Sequence, residues 1–132
     1  MINGISQAAD IVRGTMGAAG KNVVIEMEQQ PFHIVTNDGA TIIEHIWLED
    51  PVENQGLSFL KEVVARSNKN SGDGSSTTTV LLDSILKEGI KKRGTGMEIM
   101  HSINECLPII EKSIDSQKKV ITSDDYERIK LS

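Results

Sequence analysis

One cysteine, one tryptophan, one tyrosine and two phenylalanines in 132 residues leave several kinds of protein without their raw material. The single thiol, Cys106, rules out an internal disulfide framework, fits a reducing compartment and reads as a small core residue. With aromatics at 3%, there are too few rings on which the bases of a nucleic acid could stack. Positive charge is scarce as well. Fourteen Lys and Arg against 19 Asp and Glu give a formal net charge of -5, which excludes the broad basic field that neutralises a nucleic-acid backbone. The densest basic stretch, Lys87 to Arg93, falls at the end of a predicted helix, where cations complement the macrodipole. No leader of charged then apolar residues opens the chain, and no apolar run is long enough for a membrane span. The expectation is a soluble, cytoplasmic protein with neither a nucleic-acid nor a membrane partner.

What is present suits one mainly α domain, since 38% apolar residues over this length can fill a single core. Ile2, Ile5, Ala9, Val12 and Met16 recur at three and four residues and predict an amphipathic helix ended by Gly17 and Gly20. Asn22–Glu28 and Phe32–Thr36, separated by Gln29, Gln30 and Pro31, read as a small β-hairpin that must lean on helices or on another chain. Asp50, Pro51 and Glu53 have the order of an N-cap, a first-turn proline and a capping-box glutamate. They open a helix expected to turn Phe59, Leu60, Val63 and Val64 inward and to end near Asn70. A further helix from about Ser76 to Lys92 is expected to bury Val80, Leu81, Ile85 and Ile90, with Gly94 as its stop. The last begins near Thr95, spaces Ile99, Ile103, Leu107, Ile110 and Ile114 on one face, and carries Pro108, which predicts a kink. After Ser116 the pattern weakens, though Ser123, Asp124 and Asp125 could cap a final turn containing Tyr126 and Ile129.

Between the two central helices lies the most distinctive run, Ser71-Gly72-Asp73-Gly74-Ser75-Ser76-Thr77-Thr78-Thr79. Glycines let backbone approach a polyanion, the helix start offers N–H groups to phosphate oxygens, and a carboxylate can hold a hard cation. The same residues would serve a plain helix-capping loop, so the run alone leaves both readings open. It is neither a Walker A loop nor a G-x-G-x-x-G dinucleotide loop. Asn37-Asp38-Gly39 is a turn by composition, and Thr15-Met16-Gly17 an ordinary helix end. His33, His45 and His101 share no zinc-ligand spacing, and no nucleophile elbow or kinase signature is present.

Taken in order, Thr15-Met16-Gly17, Lys21-Asn22-Val23-Val24, Asn37-Asp38-Gly39, Leu48-Glu49-Asp50-Pro51 with Glu53-Asn54, the Asp73 run, and Gly96-Met97 with Met100 resemble a group I chaperonin. The similarity is to the ATP-binding equatorial domain of GroEL-type proteins and runs from Ile2 to about Met100. It implies an ATP-dependent chaperone subunit that binds non-native polypeptides and other chaperonin subunits, with ATP and Mg2+ as its cofactors. By the same resemblance Thr15, Met16, Gly17 and Ala18 meet the nucleotide, and Asp73 holds magnesium. Gly74, Ser75, Ser76 and Thr77 wrap the phosphates, and Asp38, beside Asn37, is the catalytic aspartate that orients or activates water.

The chain departs from the family at defined points. Ala18 and Ala19 stand where the family usually has Pro and Lys, removing loop rigidity and one positive charge. Asn37 stands where many members carry lysine, and Ser75 and Ser76 replace threonines. Residues 1–116 map to the N-terminal part of the equatorial domain and residues 117–132 to the start of the intermediate domain. The apical domain and the second equatorial segment, with its own catalytic aspartate, have no counterpart here. Two expectations of different class follow: an ATPase chaperonin subunit, or a non-catalytic module that associates with itself or with chaperonin subunits. Apolar helix faces left without their usual partners predict self-association or poor stability.

Overall fold

The computed structural model describes residues 1–27, 32–92 and 94–118. They form α1 (Ile2–Arg13), β1 (Val23–Ile25), β2 (Ile34–Thr36), α2 (Gly39–His45), α3 (Pro51–Ser71), α4 (Ser75–Lys91) and α5 (Gly96–Gln117). The structure is mainly α with one small antiparallel sheet, as the sequence predicts, and it divides into two compact units, Met1–Lys91 and Lys92–Ser132. The expected connector at Gln29–Pro31 and the expected turn around Ser123–Ile129 lie outside the described residues.

In the first unit α1 packs against both α3 and α4. Its stripe of Ile5, Ala8, Ala9 and Val12 is fully buried, and it meets Ile42 and Ile43 of α2 and Leu57, Leu60 and Val64 of α3. The alanines are what let α1 sit close to its neighbours. Met16 does not extend the stripe, because α1 ends at Arg13 and Met16 is exposed in the turn beyond. Where α1 crosses α3, both helices use glycine. A Cβ on Gly4 would stand 2.1 Å from the Glu53 carbonyl oxygen, and one on Gly56 would stand 1.9 Å from the Met1 carbonyl oxygen.

The hairpin pairs Val23 with Thr36, Val24 with Val35 and Ile25 with Ile34. Val23 leans on the helical core, while Val24 and Val35 face outward. The helix α2 departs from the sequence reading of Asn37-Asp38-Gly39 as a simple turn. Thr41, Ile42 and Ile43 are β-branched and poor helix formers, but an Asp38 cap and burial of both isoleucines outweigh that preference.

Two inward faces differ from expectation. In α3 the buried residues are Gly56, Leu57, Leu60 and Val64, while Phe59 is about half exposed. The glycine crossing at Gly56 fixes this rotation, which turns Phe59 away from α1. Asp50 caps α3 through the Glu53 amide at 2.8 Å with Pro51 behind it, as predicted. The Glu53 carboxylate, however, accepts from Gln7 Nε2 of α1 at 2.7 Å.

In α4 the buried residues are Ser75, Thr79 and Asp83. Leu81, Ile85 and Ile90 are exposed, and Leu82 and Leu86 are the apolar residues packed on the core. A polar stripe faces inward, and its two larger members, Thr79 and Asp83, are hydrogen-bonded there. The Thr79 hydroxyl donates to the Ser75 carbonyl at 2.9 Å. Asp83, with a side chain 1% exposed, accepts from Ser6 Oγ at 2.7 Å, Lys87 Nζ at 2.9 Å and Arg13 Nη2 at 3.1 Å. Burial pushes the Asp83 carboxyl up, but the Ser6, Lys87 and Arg13 bonds together hold it below the ordinary aspartate value.

In the second unit, Thr95 and Glu98 form a reciprocal capping box at the start of α5. The helix continues through Pro108, which removes only the bond to the Asn104 carbonyl. None of its described residues is buried. Ile99 and Ile103 are half-buried, and Leu107, Ile110 and Ile114 are exposed. Cys106 is exposed too, so the expectation of a core thiol fails, since its helix buries no side chain.

Two stability outcomes follow. An alanine in place of a helical glycine ordinarily stabilises by about 0.5–1 kcal/mol. At Gly56 the sign should reverse, because the methyl group would overlap backbone. Urea denaturation of Gly56→Ala should show a loss of about 1–3 kcal/mol, the usual range for overpacking; a gain would contradict the crossing. Asp83→Asn should cost about 1–3 kcal/mol at pH 7. Because the folded carboxyl titrates below the unfolded one, this contribution is complete above the unfolded pKa and fades as pH falls through the folded value. Parallel denaturation curves should therefore converge below about pH 4. A constant gap at every pH would show that charge is not the cause.

Candidate functional site

The Asp73 run is shaped by two left-handed glycines. Gly72 ends α3 at φ 74° with its N–H on the Asn68 carbonyl at 2.8 Å, and Gly74 opens α4 at φ 95°. Only glycine adopts such angles without strain. No atom lies within 4 Å of the Cβ that either would carry, so the backbone at this corner borders open space. Asp73, between them, is exposed and accepts the Gly74 N–H at 2.6 Å. Thr78 donates its N–H to the Gly74 carbonyl at 2.8 Å. The N–H groups of Ser75, Ser76 and Thr77 precede that first bond and have no acceptor within the helix. They converge at the positive end of a 17-residue helix dipole.

The hydroxyls of the run divide by role. Ser75 and Thr79 are buried, Thr78 shares a 2.9 Å hydrogen bond with Ser67 of α3, Ser76 is half-buried and Thr77 is exposed. The Thr78–Ser67 bond ties the two helices on either side of the loop and carries no signal in a one-dimensional reading.

The structure brings the second predicted loop to the first. A Cβ on Gly39 would stand 2.3 Å from Ser76 Oγ and 3.0 Å from Ser76 N, so the start of α2 rests directly on the start of α4. Next to Gly39, the Asp38 carboxylate accepts from the Thr41 N–H at 2.9 Å and from Thr41 Oγ1 at 2.6 Å. The Thr41 hydroxyl bond, then its amide bond, lower the Asp38 pKa below the ordinary value, with burial a weaker opposing effect. Asn37 precedes it, and the Asp38 N–H donates to Thr36 Oγ1 at 3.0 Å. Thr41 lies outside the set of sequence-predicted site residues, although its position three residues after Asp38 is the spacing of an N-cap acceptor and its donor.

The third loop follows α1. Thr15 is buried, and its hydroxyl donates to the Val12 carbonyl at 2.8 Å. Gly17 has φ 79° and nothing around its Cβ position, and Ala18 is exposed. The turn is closed by the Lys21 N–H on the Gly14 carbonyl at 2.9 Å and the Gly20 N–H on the Gly17 carbonyl at 3.0 Å. Among the described residues no hydrogen bond joins this turn to the Asp73 run. It hangs from α1, which packs on α4.

Open left-handed glycines, unpaired helix amides and an exposed carboxylate fit a polyphosphate with a hard cation. Asp73 supplies one oxygen donor, and among the described residues no group of three His, Cys, Asp or Glu could hold a metal by itself. A cation here would take its other ligands from phosphate and water. A separate pocket of about 330 Å³ lies between α2 and α3, lined by Ala40, Ile43, Glu44, Lys61, Val64, Ala65 and Asn68. No described helix is long and apolar enough to cross a membrane.

The arrangement is that of a helical protein with a glycine-flanked carboxylate at one helix start and a capping aspartate at the helix start beside it. The family model of the TCP-1/cpn60 chaperonin family matches residues 8–131, and the chain belongs to that family.

Thr41→Val removes the hydroxyl that accounts for the largest part of the Asp38 shift. Carbon-detected NMR titration should find the Asp38 carboxyl titrating at higher pH in this variant than in the parent. An unmoved Asp38 would contradict the contact.

Proposed function

We propose that this chain forms the phosphate and magnesium side of the ATP site in a GroEL-type, group I chaperonin subunit. Residues 1–116 would belong to its equatorial domain and residues 117–132 to the start of its intermediate domain. The observation that carries this reading is the seat of Gly39 on Ser76, which sets the loop of Asp38 beside the amides that open α4. A family match over nearly the whole chain supports it.

The residues divide the work by chemistry. The N–H groups of Ser75, Ser76 and Thr77 donate to phosphate oxygens, and Gly74 lets the polyanion come close. Asp73 holds Mg2+, which when bound neutralises charge developing on the phosphate oxygens. The Thr15–Ala18 turn offers backbone groups to the nucleotide, since the Thr15 hydroxyl is already donated to Val12. Asp38 is ionised at neutral pH as an ordinary aspartate is, and its bonds from Thr41 stabilise that charge further. A carboxylate so stabilised is a weak base, and its role is to orient the attacking water by accepting its hydrogen bond, with Asn37 alongside. In the assembled subunit this cycle would drive the folding of non-native polypeptides in the cytoplasm, within a ring of like subunits.

The second reading, an interaction module without turnover, draws on the unburied apolar residues of α5 and on Ala18 and Ala19. Calorimetric titration with ATP and Mg2+ separates the two. The first reading expects saturable binding that is lost in Asp73→Ala. It also expects binding to be retained, with hydrolysis slowed about a hundredfold, in Asp38→Asn. A folded chain that self-associates in sedimentation yet binds no MgATP would favour the second.

A further inference from the structure

The Asp83 carboxylate accepts three side-chain hydrogen bonds, and no proposed step uses it. It stands on α4 about two turns beyond Ser75–Thr77, a rise of about 9–12 Å along the helix. Its two oxygens divide their partners. Oδ1 accepts from Ser6, while Oδ2 accepts from Arg13 and from Lys87 of its own helix. Ser6 and Arg13 are seven residues apart, so they share a face of α1 two turns from each other. The long Arg13 side chain reaches back toward the N-terminal end of α1 to meet the same carboxylate. Bonds from two levels of one helix that converge on a single carboxylate resist both sliding and rotation, since either motion lengthens one of them. Lys87 fixes the carboxylate from behind, and Asp10 pairs with Arg13 from within α1.

Arg13 is the last residue of α1, and the Thr15–Ala18 turn follows directly, anchored to the final helical turn by the Thr15 bonds to the Val12 carbonyl. The axial register of α1 on α4 therefore decides where that turn stands relative to the amides of Ser75, Ser76 and Thr77. We propose that Asp83 is a positioning residue for the nucleotide site, holding the Thr15–Ala18 turn in register with the start of α4 through Ser6 and Arg13. This rests on the nucleotide-binding reading above. It adds a requirement which that reading lacks: a carboxylate remote from the phosphates sets affinity through helix register.

The test uses the full chain with Cys106→Ser, spin-labelled at Ala19→Cys in the turn and Leu81→Cys on the exposed face of α4, with MgATP binding measured on the unlabelled proteins. In the Asp83→Asn variant, held well below its melting temperature, the label-to-label distance distribution should broaden or shift, and MgATP affinity should fall about tenfold or more. Ser6→Ala, a milder change that keeps both ion pairs, should move both readouts in the same direction by less. An unchanged distance distribution in both variants overturns the proposal whether or not nucleotide binds. Unchanged affinity in Asp83→Asn, with binding lost in Asp73→Ala, overturns it too and leaves Asp83 a stabilising group alone. Should the parent bind no MgATP, the nucleotide reading fails, and the distance measurement still decides whether Asp83 sets the register.

Discussion

The close seating of α1 between α3 and α4 is the constraint on which the first unit depends. Against α3 it is achieved by absence of side chain, with Gly4 and Gly56 so placed that a single methyl group would meet backbone. Against α4 it is achieved by a satisfied polar contact, Asp83 with Ser6 and Arg13. The two contacts are complementary in kind. The glycine crossing sets distance, and the carboxylate sets register, while Ile5, Ala8 and Val12 provide the apolar burial that drives the assembly.

The candidate site inherits its geometry from that packing. The loops of interest sit where helices begin or end, so their relative positions are fixed by how the helices pack. Gly72 and Gly74 turn the chain at one corner, Gly39 lies on Ser76, and the Thr15 turn closes on the end of α1. A chaperonin-family chain thus presents helix-start amides and the Asp73 and Asp38 carboxylates on neighbouring loops without a basic patch. In the proposed site the attraction for phosphate would come from oriented amides at one helix start and from a cation, which suits a net charge of -5.

Much of this was legible in the sequence where one residue type does one job. Asp50-Pro51 announces the start of α3, Thr95 the start of α5, and the glycines around Asp73 the corner between α3 and α4. Where sequence and structure differ the cause is shared: apolar character alone does not make an inward face. In α4 the inward stripe is Ser75, Thr79 and Asp83, the last two hydrogen-bonded within α4 or to α1, and Leu81 and Ile85 turn outward. In α3 the glycine crossing, which periodicity cannot see, chose Leu57 over Phe59. The helix α2 is not legible in the sequence, since seven residues with three β-branched members carry little helical signal and its support comes from a cap and from burial. The contact of Gly39 with Ser76 joins residues 37 positions apart, so each loop was readable alone but their meeting was not.

The central claim is that the loops of Asp38 and Asp73 form one site for nucleotide phosphates. The most direct measurement is an amide NMR titration of the chain with MgADP, following Gly39, Gly74, Ser75, Ser76 and Thr77 together. The account predicts that these amides shift along one saturation curve, those of Ser75–Thr77 moving most because they donate to the anion, while hairpin amides such as Val24 and Val35 stay still. Shifts confined to one loop, or none at these amides in a folded chain, would contradict it.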